Sequence, residues 1–275
     1  MQAALLCKAG GIMIIDVHAH IYPDKIAAKA VRSIGEFYQW PNMEMDGTVD
    51  GLLAASKEAG IDLSIVHSAA VSPARVKSVN DFIASTVEAH ADRLLGFGSM
   101  HPDYEDIGKE LDRMMAMGLR GVKLHPDTQQ FMMDSPASIK MLEAMEERRL
   151  PVLIHTGDTR YPFSNPERVA RALDHVPNLV AICAHLGGWS MWSNGWKILA
   201  GREDVYVDCS SSLYAITPEE AVKVIHRYGA KRVFFGTDHP MWNPVGEVKR
   251  FNALPLTEEE RELILHKNIE QLLKI

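Results

Sequence analysis

His18 and His20 stand two residues apart at the end of an unbroken apolar run, in the stretch Ile12-Met-Ile-Ile-Asp-Val-His-Ala-His20. Side chains two apart in a strand lie on the same face. Both imidazoles therefore point together from the carboxyl end of a buried strand. Neutral imidazole is a good ligand for zinc, iron and related ions, so the pair can share one metal. It can equally be two polar residues closing a strand. The metal reading gains weight because later apolar runs also end in polar, chemistry-bearing residues: His67, His101, Lys123 with His125, His155, His185, Asp208 and Asp238.

The elements that must position these groups follow from the hydrophobic pattern. Leu63–His67, Leu94–Ser99, Gly121–His125, Val152–His155, Leu179–His185, Val205–Asp208 and Val233–Gly236 read as strands. Helical periodicity fills the segments between them, for example Val76, Val79, Ile83 and Val87 on one face of a helix over 73–91. Start signals support these helices: Thr48 as a cap, Asn165-Pro166 as cap and first-turn proline, and Thr217-Pro-Glu-Glu and Thr257 with acids in the first turn. The stretch 21–47 is long for a connection, which marks it as a lid or binding loop, with a helical part at 27–34. Eight strands alternating with helices predict an α/β fold, a single (β/α)8 barrel over residues 12–275. An open doubly wound sheet is the alternative, but the first strand is followed by His-Ala-His-Ile-Tyr-Pro and not by a glycine-rich dinucleotide turn. In such barrels the chemistry sits at the carboxyl ends of the strands, where the polar residues named above fall.

Composition bounds the function. The chain has 275 residues and a net charge of -7, with 29 basic and 36 acidic residues. It carries no basic block, which argues against a nucleic-acid partner. No apolar run reaches the length of a bilayer span, so no membrane partner is expected. Three cysteines, Cys7, Cys183 and Cys209, are too few for a disulfide framework, and a cytoplasmic location is expected. Residues 1–11 lack the pattern of a signal peptide and read as a disordered extension, with Met13 as the native start.

Five motifs occur in order: Asp16-Val-His-Ala-His20, Gly121-Val-Lys-Leu-His-Pro126, Ile154-His-Thr-Gly157, Ala184-His-Leu-Gly-Gly188 and Gly236-Thr-Asp-His-Pro240. With them the chain resembles the amidohydrolase superfamily, in its amidohydrolase-related (amidohydrolase 2) branch, over essentially its whole length from Ile14. The resemblance implies one divalent metal, zinc with manganese or iron as alternatives, held by His18, His20, His155 and Asp238. It also implies that His185 hydrogen-bonds the metal-bound water or the substrate. Asp238 would both touch the metal and shuttle a proton. In some relatives a carboxylated lysine on the fourth strand bridges a second metal. Lys123 occupies that strand, and only its carboxylation would bring in a second ion through His155 and His185. Otherwise Lys123 is a cation for Asp238 or for a substrate carboxylate. His125 reads either as a substrate-binding group or as a strand cap. Arg160 reads either as a bidentate clamp for a substrate carboxylate or as a solvated surface residue. Asp16 suits buried hydrogen bonding behind the histidines, and His239, of opposite parity to Asp238, faces away from them.

The resemblance implies first a hydrolase, cleaving an amide, lactone or other ester bond of a small, carboxylated molecule through metal-activated water. The alternative is non-oxidative decarboxylation of an aromatic or unsaturated acid, which the same ligand set can serve. A small-molecule substrate is the partner expected, and the branch supplies a homo-oligomer, a dimer, by analogy.

Overall fold

The computed structural model describes residues 11–275, so Cys7 and all of the expected N-terminal extension except Gly11 lie outside the described residues. Strand β1 (Ile15–His20) is buried along its whole length, as an apolar strand covered on both faces must be. It lies beside β2 (Leu63–His67), which lies beside β3 (Leu94–Gly96). The predicted strand over 94–99 is interrupted at Phe97, and its second piece is β4 (Gly98–Ser99). Then follow β5 (Val122–Leu124), β6 (Val152–Ile154), β7 (Ala181–Cys183), β8 (Val205–Asp208) and β9 (Val233–Phe234), with helices between them.

The chain divides into two compact units. The first comprises residues 11–66, 89–95 and 209–275. Its core is built on β1, whose Ile15, Val17 and Ala19 are buried together with Ile21, Ile65, Phe234, Phe235 and Phe251. Each buried Val, Ile or Phe among them contributes about 1.5–3 kcal/mol relative to exposure. The segment after β9 runs along β1: Val17 donates its N–H to the Phe235 carbonyl, Asp238 to His18 and His20 to His239. The second unit comprises residues 67–88 and 96–208. There β4 to β8 pair in parallel in sequence order, with Val122 opposite Val152, Val152 opposite Ala181 and Ala181 opposite Val205. Met114, Met141, Leu142, Met145, Val169 and Leu173 are among the buried residues of its helices.

The helix starts follow the predicted chemistry. Thr217 and Thr257 form full capping boxes with Glu220 and Glu260, and Asn165 accepts from the Arg168 N–H. Three elements differ from expectation. The helix in the long first connection spans Asp24–Tyr38, beyond the predicted 27–34, because Gly35 does not break it. A Cβ there would meet the Trp40 carbonyl oxygen at 2.8 Å, so glycine is what the close approach of the chain requires. The C-terminal helix begins at Thr257 as expected but passes through a π-helical turn at Leu263–Lys267. An unpredicted helix, Pro244–Asn252, is capped by Asn243. Among the described residues no helix is long and apolar enough to cross a membrane.

Candidate metal centre

The first unit gathers three of the predicted ligands. Strand parity puts His18 and His20 on one side of β1, and their Nε2 atoms lie 3.3 Å apart. Asp238 Oδ1 is 3.3 Å from His18 Nε2 and 3.6 Å from His20 Nε2. Donor atoms about 2.0–2.1 Å from one tetrahedral ion are separated by about 3.3–3.4 Å. The three measured edges match that spacing, so the residues present fit a divalent metal.

Asp238 reaches this point because its backbone is hydrogen-bonded along β1, through the Asp238 N–H to the His18 carbonyl at 2.7 Å and an Ala19–His239 bridge. It adopts a left-handed φ of 58°, a conformation aspartate tolerates better than most residues. Asp16 stands behind the pair. Its Oδ1 accepts from the His18 and Thr237 N–H groups, each at 3.0 Å, and its Oδ2 accepts from the Thr237 hydroxyl at 2.6 Å. One buried carboxylate thus ties the His-x-His strand to the loop carrying Asp238. Ser210 Oγ lies 3.1 Å from His18 Nδ1; a ring proton there leaves the Nε2 lone pair for a metal. His239 faces away as expected: its Nδ1 lies 2.9 Å from the His20 carbonyl, to which the ring donates. Burial pushes the His239 pKa down to about 4, so the ring is neutral. Burial, with Asp238 nearby, pushes the Tyr22 phenol up and keeps it protonated.

The second unit holds the other predicted groups. His155 follows β6, and His185 follows β7 in a turn where it and Leu186 take left-handed φ values of 61° and 52°, in place of the predicted strand end. His155 Nδ1 and His185 Nε2 are 3.0 Å apart. The His125 ring stacks on His155 with centroids 4.0 Å apart and planes 5° from parallel. His125 also caps the N-terminus of the short helix Pro126–Gln129, its Nδ1 accepting from the Thr128 N–H at 3.4 Å. Burial, then the Lys123 and His185 charges, push the His125 pKa well below the usual histidine value. Lys123 is fully buried on β5.

Arg160 is exposed, and its guanidinium is engaged by the chain itself. Its Nε and Nη2 fork onto Asp158 at 2.9 and 2.6 Å, and its guanidinium lies 5.4 Å from the Trp189 ring centre. The carboxylate it clamps is the protein's own.

Two features of the site escape sequence reading. Asp127 is buried with Oδ2 3.5 Å from His155 Nε2, and it accepts a hydrogen bond from Ser164. Ligand atoms of His125, Asp127 and His155 all lie within 4.8 Å of one another. Burial pushes the Asp127 carboxyl up to about 7, against the pull of the Ser164 hydrogen bond. Its signal was the acid following His125-Pro126. The other is Ser211, which donates to Asp238 Oδ2 at 2.5 Å; a serine in a serine run gives no sequence cue.

A chain of alternating parallel strands and helices, with histidines and carboxylates gathered at strand ends at metal-ligand spacing, defines the class of metal-dependent (β/α)8-barrel proteins. The chain belongs to the Amidohydrolase family, whose model matches residues 15–275. No curated protein matches it by sequence. Among solved structures, an uncharacterized TIM-barrel protein from Bordetella bronchiseptica is similar at 21% identity and TM-score 0.79, covering 95% of this chain and 98% of that one. 5-Carboxyvanillate decarboxylase from Sphingomonas paucimobilis is similar at 17% identity and TM-score 0.76, covering 96% and 100%. A dihydroxybenzoic acid decarboxylase from Polaromonas sp. JS666, with bound manganese and the inhibitor 2-nitroresorcinol, is similar at 17% identity and TM-score 0.76, covering 95% and 97%. These likenesses show the fold, a (β/α)8 barrel.

Proposed function

We propose that this protein is a metal-dependent carboxy-lyase that removes CO2 from an aromatic or unsaturated carboxylic acid without oxidation. The observation that carries the proposal is the convergence of His18 Nε2, His20 Nε2 and Asp238 Oδ1 within 3.3–3.6 Å of one another. The hydrolysis expected first from the family resemblance uses the same ligands. The decarboxylases among the similar structures, two of them acting on 5-carboxyvanillate or dihydroxybenzoic acid by name, favour the carboxy-lyase. We assign His18, His20, Asp238 and His155 as ligands of one divalent ion. Manganese in the similar decarboxylase from Polaromonas supports a divalent ion. Zinc, the metal first expected, suits the same donors.

An ion held by the assigned ligands would supply a positive centre that stabilises negative charge on the substrate. The side chains do the rest. The bond between the ring carbon and the carboxylate breaks, its electron pair stays on carbon, and that carbon takes a proton as CO2 leaves. Asp238 is the group assigned to pass that proton, and His185 orients the substrate through a ring nitrogen. Lys123 and His125 are assigned to substrate binding; Arg160, committed to Asp158, is assigned to shaping the loop that holds it.

The test is to load the purified chain with Mn2+ or Zn2+ and incubate it with panels of hydroxybenzoates, lactones and amides, following CO2 and products by NMR. CO2 from a hydroxybenzoate, lost on chelation, is the expected result. Ring-opened lactone or cleaved amide with no CO2 from any acid would return the protein to the hydrolases.

A further inference from the structure

Ser211 and Trp242 lie outside every ligand set considered above, yet they end on Asp238. Trp242 is buried, and its indole Nε1–H donates to Ser211 Oγ at 2.8 Å. An indole nitrogen only donates, so the serine oxygen is the acceptor there. The single hydroxyl proton of Ser211 must then go elsewhere. Two acceptors are in reach, Asp238 Oδ2 at 2.5 Å and Met241 Sδ at 3.6 Å. A carboxylate oxygen at that distance is a far stronger acceptor than a thioether sulfur. The direction of the relay is therefore fixed, from indole to hydroxyl to Asp238 Oδ2, and Oδ1 is left turned toward His18 and His20.

The surroundings are built to hold this arrangement. Ser211 sits at a left-handed φ of 45° and Asp238 at 58°, conformations that cost a non-glycine residue free energy. Local sequence does not favour either, so contacts elsewhere hold them there. Trp242 is fixed from its other sides: the Tyr214 ring lies 4.5 Å away, the Trp40 ring 5.3 Å away, and the Arg250 guanidinium 5.0 Å from its centre. Trp40 comes from the long connection after β1, so that connection reaches the relay through one aromatic contact.

We propose that Ser211, oriented by Trp242, is a positioning residue that presents Asp238 Oδ1 to the divalent ion assigned above. The inference rests on that assignment. Partners that orient a metal ligand are typically worth 10–100-fold in metal affinity.

Binding of Mn2+ alone, read from the EPR signal of the free ion, tests it on the full chain. S211G removes the hydroxyl but suits the left-handed backbone, so it separates positioning from folding. The expected result is a chain that remains folded by circular dichroism, with Mn2+ binding weakened about 10–100-fold. S211A should weaken it alike. W242F leaves the hydroxyl free to donate and should weaken binding less than S211G. S211G with wild-type affinity overturns the inference and leaves the metal assignment standing. A wild-type chain that takes up no Mn2+ and no Zn2+ overturns both.

Discussion

Asp16→Ala removes the carboxylate that joins the His-x-His strand to the Asp238 loop. Three donors lose their acceptor: the His18 N–H, the Thr237 N–H and the Thr237 hydroxyl. Asp16, His18 and Thr237 are all fully buried, so water does not readily replace the lost carboxylate. Hydrogen bonds to a charged group are worth about 1.5–3 kcal/mol each, and relief of the buried charge offsets part of their loss. The expected destabilisation is about 4 kcal/mol, near the upper end for single substitutions. At roughly 2–4 °C per kcal/mol in a chain of this size, the thermal midpoint falls by about 8–16 °C. Asp16→Asn keeps an oxygen for the two backbone donors but turns an amide toward Thr237 and should cost about 1–2 kcal/mol. Differential scanning calorimetry on all three proteins measures the series. D16A melting within about 2 °C of wild type, or D16N costing as much as D16A, would refute the assigned role.

Other expectations follow from buried ionisable groups. Burial pushes the Glu247 carboxyl up to about 7, against the opposing Arg250 charge and its hydrogen bond and with Asp238 adding to the rise. Its folded pKa lies above the unfolded value, so its contribution is fully present below about pH 4.5 and is lost as pH rises through about 7. E247Q cannot ionise and should gain stability relative to wild type between pH 5 and 8, by up to ~3 kcal/mol; urea unfolding at both pH values checks this, and a constant difference would contradict it. R160A strips the fork from the buried Asp158 carboxylate and should cost about 2 kcal/mol, read as a lower thermal midpoint; an unchanged midpoint would show the pair to be dispensable.

Much of this was legible in the sequence where one local rule decides the outcome. The apolar run before His18 marked β1, and parity placed His18 and His20 together, as their 3.3 Å separation shows. Threonine caps with a glutamate three residues on gave the starts at Thr217 and Thr257. The same kind of signal, Asn243-Pro244, stands at the start of the unpredicted helix Pro244–Asn252. The rest depended on backbone geometry that residue type does not announce. His185 leaves its strand for a left-handed turn, and Asp158 takes a φ of 100°, within a loop where its carboxylate accepts the guanidinium two residues on. Ser211 meets Asp238 only through pairing of distant segments, so neither composition nor periodicity could reveal it.

Metal content tests the central claim most directly. Wild-type protein equilibrated with Mn2+ or Zn2+, then freed of loosely held ions and analysed by mass spectrometry, should retain a single equivalent per chain. H18A, H20A, D238A and H155A should each lose most of it while remaining folded by circular dichroism. A wild-type chain without metal, or folded H18A and D238A variants that keep a full equivalent, would contradict the account.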